Sequence, residues 1–285
     1  MNRLYVLCDL EGASGIGPEN REAMVYGSEL WHREGRRCIT SDVQAVCEAA
    51  EAFGIDEIVL NDSHDYGHRE PNVLTNELPR NVRLVRRPHL PGKARHTVRG
   101  EPFGMVIVGQ HARYGGGGFA PHTIQSPPIG QVRINGVEVG EIGLELALFM
   151  GTPLLAIAGE KAAVDEAKTL CPNAVGIPVK WLEADWFPSP EETHAVIRRG
   201  VLEALRQRGT ATGLDLRSPY RFSLNPAEGY GFDPEKKVFM RSLTRFVFRR
   251  CGGRLTRGKA SWETKTIIGG LYGLETARMF LAKRR

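Results

Sequence analysis

The sequence predicts an α/β protein: a three-layer sandwich on a largely parallel sheet, followed by a smaller C-terminal α+β unit. Three observations predict it. Short, wholly apolar runs alternate with stretches of helical period through the first part of the chain, the pattern of parallel strands covered on both faces. Each of the early runs ends in polar or glycine-rich sequence, as the carboxyl ends of such strands do. Past Gly209 the periodicity weakens, and Thr210–Gly213 reads as a linker. The expected division is residues 1–209 for the α/β domain and 210–285 for the smaller one; 285 residues suffice for both.

Leu4–Leu7 is the first strand run, followed by the polar segment Asp9–Pro18. A helix is expected over Ser41–Phe53, because Val43, Val46, Cys47, Ala50 and Phe53 recur at helical spacing, with Thr40 or Ser41 as its cap and Gly54 as its stop. Ile58–Leu60, Val82–Val85 and Met105–Val108 are the next strand runs. Tyr114–Gly130, rich in Gly and Pro, is expected to hold no regular element and reads as an active-site loop or lid. Gln131–Ile134 and Val137–Val139 flank Asn135-Gly136, the strongest short hairpin signal. A helix over Gly143–Met150, a buried strand at Pro153–Ala158, a charged helix over Glu191–Arg208 and a last helix over Leu274–Leu281 complete the series.

Sites in parallel sheets form at the carboxyl ends of strands. Asp9 and Glu11 follow the first run, Asp62 and His64 the second, and His111 the fourth. Asp9 and Glu11, two apart in extended chain, face the same side, and two such carboxylates repel unless a cation lies between them. Asp62 is placed to orient His64 through its second ring nitrogen, with Asn61 bracing the turn. His122 lies in the glycine-rich loop, where an imidazole can act as general acid or base. Glu141 stands between glycines at a helix start, where it serves either the helix dipole or a metal. Three carboxylates and two histidines suit two divalent ions, zinc among them, and one carboxylate can bridge. Such a pair can activate water, polarise a carbonyl and stabilise an oxyanion.

The formal net charge is +5. Basic pairs such as Arg36-Arg37, Arg86-Arg87, Arg198-Arg199 and Arg249-Arg250 read as solvated surface rather than a nucleic-acid footprint, since no aromatics are interleaved for stacking. His32, His68, His89, His96 and His194 read as surface residues, and Cys8 as turned into the core. Five cysteines without a C-x-x-C argue for a reducing compartment. With no apolar stretch of membrane-spanning length and no signal-peptide pattern, the cytoplasm is the expected location.

Five motifs in register resemble the D-aminopeptidase family of zinc peptidases: Asp9-Leu10-Glu11-Gly12-Ala13-Ser14-Gly15, Asn61-Asp62-Ser63-His64, Gly109-Gln110-His111-Ala112, Pro121-His122-Thr123, and Ile134-Asn135-Gly136 through Gly140-Glu141-Ile142-Gly143. The resemblance runs to about residue 170. It implies two zinc ions held by Asp9, Glu11, His64, His111 and Glu141, with Asp9 bridging and His122 as the catalytic histidine. It also implies pentameric rings stacked into decamers, and removal of N-terminal D-residues from short peptides or amino-acid amides by metal-activated water. Three stretches depart from the pattern: Glu160-Lys161, Val179–Trp186, and the divergent sequence from Arg217 on, with Arg245–Arg250 notably basic. Two other readings compete. One is a binuclear-metal phosphoesterase, against which the Asp-x-Glu start tells. The other is a non-catalytic basic binding protein on the same scaffold.

Overall fold

The computed structural model describes residues 1–67, 70–86, 101–125, 128–233, 248 and 252–284. The expectations for His68, His89, His96, Arg87, Arg249 and Arg250 lie outside these residues, as does most of the basic Arg245–Arg250 stretch. In chain order the strands are β1 Arg3–Cys8, β2 Glu57–Asp62, β3 Val82–Arg86, β4 Gly104–Gln110, β5 Thr123–Gln125, β6 Pro128–Ile134, β7 Val137–Val139, β8 Leu154–Glu160, β9 Val175–Lys180, β10 Tyr220–Pro226, β11 Tyr230–Phe232, β12 Arg254–Leu255, β13 Ala260–Thr264 and β14 Leu281–Lys283. The α-helices are α1 Arg36–Phe53, α2 Glu141–Leu148, α3 Lys161–Leu170, α4 Pro190–Arg206 and α5 Ile267–Arg278.

Two compact units emerge. The first comprises residues 1–112, 117–120 and 151–214; the second comprises 113–116, 121–150 and 215–285. The second unit therefore does not simply begin at residue 210, because β6 of the Asn135-Gly136 hairpin pairs with β10 far along the chain, Ile134 opposite Phe222. Sheet pairing, not the linker-like Thr210–Gly213, decides which residues belong together.

The first unit is a six-stranded parallel sheet in the order β3-β2-β1-β4-β8-β9. β4 and β8 are buried along their whole length, which is why they read as continuous apolar runs. Leu4, Val6 and Cys8 of β1 share one core with Ile58, Leu60, Val106, Val108, Ala156 and Ala158, and with Ile39, Val43, Val46 of α1 and Ile197 and Val201 of α4. Cys8 thus turns inward as its alternation predicts. α1 stops at Gly54, which adopts φ +90°. Its start differs from expectation. The chain is already turning at Trp31–Gly35, so Thr40 lies inside the helix, donating to the Arg36 carbonyl at 2.6 Å and accepting from Leu74 N at 2.8 Å. α4 carries the capping its sequence calls for, with Pro190 at its first turn and Ser189 and Glu192 exchanging hydrogen bonds.

Arg36 departs from a solvated basic surface: it pairs with Glu70 at 2.5 Å and lies over the Trp31 ring. His32 is exposed, and His194 is half-buried, bonded to Glu48. Cys8, Cys38, Cys47 and Cys171 are free and buried. Among the described residues, no helix is long and apolar enough to cross a membrane.

The second unit is built on an antiparallel sheet, β12-β13-β10-β6-β5, with β7 on β6. Asn135 and Gly136 both have positive φ, 51° and 86°, as the two-residue turn requires. α5 lies against this sheet through glycines: a Cβ at Gly270 would stand 1.9 Å from the Phe222 ring, and one at Gly273 2.3 Å from Trp262. Phe222 and Trp262 stack at 5.3 Å, and Trp262 Nε1 donates to the Gly270 carbonyl at 2.9 Å. Glycine at the contact face weakens the apolar periodicity of this helix, which hides its first turns from a sequence reading.

Candidate metal centre

The centre begins where β1 runs out. Asp9 N still donates to Val108 O at 3.0 Å, and Leu10 N donates to the Asp9 carboxylate at 2.8 Å. The chain then turns instead of staying extended, with Gly12 N bonding Gly109 O at 2.8 Å and Ala13 N bonding Leu10 O at 3.1 Å. Asp9 and Glu11 do converge, but through this turn and not through strand alternation. Close approach requires glycine on both sides. Gly109 has φ +69°, and a Cβ there would lie 2.2 Å from the Asp9 carbonyl oxygen.

His64 arrives from the end of β2. Ser63 N and Oγ both donate to Cys8 O, at 2.9 and 2.8 Å, and so fix the turn between the two strands. His64 Nδ1 then stands 3.2 Å from Asp9 Oδ1 and 3.0 Å from Glu11 Oε2, and Nε2 stands 2.8 Å from Met24 O. Asp62 does not orient the imidazole as expected. Its carboxylate accepts from Asn72 N and Nδ2, both at 2.6 Å, and Asn72 Nδ2 also lies 3.0 Å from the His64 carbonyl. Asp62 acts on the backbone of His64 through Asn72, and Asn72 is anchored by Trp31 Nε1 at 2.8 Å. Asn61 Nδ2 donates to the Tyr5 hydroxyl at 2.9 Å, a bond between neighbouring strands.

His111 follows β4. Its Nδ1 lies 2.9 Å from the Ala112 carbonyl and its Nε2 3.7 Å from Asp9 Oδ2. Gln110 Nε2 donates to that same Asp9 oxygen at 2.9 Å. Asp9, Glu11, His64 and His111 are all buried.

Burial and the negative charge of Glu11 raise the Asp9 carboxyl to about 8. Burial also pushes Glu11 upward, but the charge and hydrogen bond of His64 outweigh it and hold Glu11 well below the usual range. For His64, burial favours the neutral ring; Glu11 and Asp9 overcome that and raise it well above its ordinary value. Two carboxylates at such depth call for positive charge between them. Donor atoms about 2.0–2.2 Å from a tetrahedral ion stand about 3.3–3.6 Å apart. The separations of 3.0, 3.2 and 3.7 Å around Asp9, Glu11, His64 and His111 bracket that range, so the donor set fits a divalent ion such as zinc. Asp9, Glu11 and His64 offer ligand atoms all within 4.8 Å of one another.

Three supporting residues escaped the sequence reading. Lys180 is buried, and its Nζ donates to the carbonyls of Glu11 at 2.9 Å and Ile16 at 2.5 Å. Burial lowers it to about 8, against the opposing pull of Glu160 and Asp42. Glu160 accepts from Ala112 N at 2.9 Å and from Phe119 N at 2.6 Å. Asp42 accepts from Ser14 N at 2.9 Å. The available signal was a charged residue at the end of an apolar strand, as in β8 and β9. In the departing stretch Val179–Trp186, Lys180 is buried while Trp181 and Trp186 pair with each other and stay exposed.

His122 and Glu141 belong to the second unit. Glu141 opens α2 and accepts from Ile124 N at 2.9 Å. Ile124 takes φ +48°, a strained value for a β-branched residue, of the kind that gathers at functional sites. His122 Nε2 stands 4.0 Å from Glu141 Oε1.

A family model described as D-aminopeptidase matches residues 2–230. The D-aminopeptidase of Bacillus subtilis (strain 168) is 29% identical over 183 residues, covering 62% of this chain and 63% of that protein, so the match spans less than two thirds of the relative. The solved structure titled Zn-dependent D-aminopeptidase DppA from Bacillus subtilis, a self-compartmentalizing protease, shares the fold, with a TM-score of 0.78 at 22% identity over 97% of this chain and 98% of that one. With a family match that takes in both the strand-end motifs and the His122 and Glu141 segments, the chain belongs to the D-aminopeptidase family.

Proposed function

We propose that the protein is a zinc-dependent aminopeptidase that removes N-terminal residues, D-residues among them, from short peptides or amino-acid amides. The observation that carries this reading is the buried meeting of Asp9, Glu11, His64 and His111 at the carboxyl ends of three adjacent parallel strands. In this reading Asp9, Glu11, His64, His111 and Glu141 would hold two zinc ions, on the strength of the motif register and family membership. Zinc in such a site supplies Lewis acidity toward the scissile carbonyl and activates water.

The chain's own groups do the rest. Gln110 holds one Asp9 oxygen, and Asn72 holds the His64 backbone. His122 carries the proton to the leaving amine, and Ile124 N–H fixes one Glu141 oxygen. The protein assembles with copies of itself, as the word self-compartmentalizing says of the Bacillus subtilis neighbour. A reducing compartment, the cytoplasm, suits its buried free thiols.

The experiment is a substrate panel on the zinc-supplemented protein: D-Ala and L-Ala dipeptides, their amides, and an aryl phosphate. Cleavage of peptides or amides that His122→Ala lowers at least about a hundredfold supports the reading. Turnover of the phosphate alone replaces it with the phosphoesterase.

A further inference from the structure

We propose that Lys180 is a positioning residue that sets the metal affinity of the centre by clamping the Glu11–Ile16 turn; the inference rests on the zinc-hydrolase reading above.

Lys180 ends β9 directly beside Glu160, the last residue of β8, its partner in the strand register. Each side chain then grips backbone that bears a metal ligand. Glu160 takes the N–H of Ala112, next to His111, while Lys180 takes the carbonyl of Glu11 itself. The second Lys180 bond, to Ile16 O, closes the far end of the same turn. Its Nζ also lies 5.1 Å from the centroid of the Phe119 ring, within cation–π range, and Phe119 N is held in turn by Glu160. Two carbonyls and one ring face account for the three N–H directions of an ammonium group. Lys180 is 1% exposed, so no water substitutes for a lost bond from solvent. An apolar residue there removes the Lys180 bonds to the Glu11 and Ile16 carbonyls and loosens the turn that aims the Glu11 carboxylate at His64. Groups that hold a ligand in place typically control affinity by about 10–100-fold.

The test compares wild type with Lys180→Met in the full-length protein. Zinc affinity is read by competition with a chromophoric chelator, ligand geometry by the visible spectrum of the cobalt(II)-loaded protein, and folding by circular dichroism and thermal melting. The proposal expects zinc binding weakened about 10–100-fold and an altered cobalt spectrum, with the far-ultraviolet spectrum kept. Should Lys180→Met fail to fold, Lys180→Gln is read in its place. A folded variant with a lowered melting temperature but wild-type zinc affinity and cobalt spectrum overturns the proposal, since it shows a merely structural lysine. Failure of the underlying reading looks different: wild type itself then binds no zinc.

Discussion

Gly12 and Gln110 meet backbone to backbone, so closely that a Cβ on Gly12 would stand 2.0 Å from the Gln110 carbonyl oxygen. This contact lays the Asp9–Ala13 turn against the end of β4 and sets Asp9 beside Gln110 and His111. Gly12→Ala must push the turn away. It should cost about 1–3 kcal/mol of stability and disperse the donor set. Denaturant unfolding measures the first effect and metal titration the second; unchanged metal affinity would show that the turn is not what assembles the site.

Metal uptake should release protons. In the metal-free centre Asp9 is raised to about 8 by burial and by Glu11, and His64 is raised by the two carboxylates against the effect of its burial. Both groups therefore hold protons near neutral pH that a cation must displace. Zinc affinity should climb as pH rises through about 8, the Asp9 value. Titration calorimetry in buffers of different ionisation enthalpy counts the protons released; zero release at pH 7 contradicts the assigned ligands.

Asp42 should give the stability curve an acid-side gain. Burial raises its carboxyl to about 6, the Ser14 hydrogen bonds opposing. A folded-state value above the unfolded one means that the folded state binds the proton more tightly. Its contribution thus favours folding as pH falls through 6 and is complete near 4, below which the unfolded carboxyl protonates as well. The difference in unfolding free energy between wild type and Asp42→Asn should move in favour of wild type over that window, by up to about 3 kcal/mol. A pH-independent difference would refute the role of burial.

Much of this centre was legible because it obeys a local rule. Asp9, His64 and His111 each come just after a short apolar run, and adjacent parallel strands bring their carboxyl-end residues to one edge. The hairpin at Asn135-Gly136 was legible for the same reason: its turn chemistry is contained in two residues. The features that escaped depend on distant partners. Nothing near Lys180 announces that its ammonium will meet the carbonyl of Glu11, and nothing near Asp62 announces Asn72. Thr40 has the chemistry of a helix cap, but the turn at Trp31–Gly35 starts the helix before it. The membership of β6 in the second unit is likewise set by β10, which carries no mark of its partner.

The most direct measurement is metal content after gentle purification in zinc-supplemented buffer, by mass spectrometry, for wild type, Asp9→Ala and His64→Ala. At least about one zinc per wild-type chain is expected, and its loss in both folded variants. A wild type that holds no zinc, or variants that keep a full complement, would contradict the zinc reading.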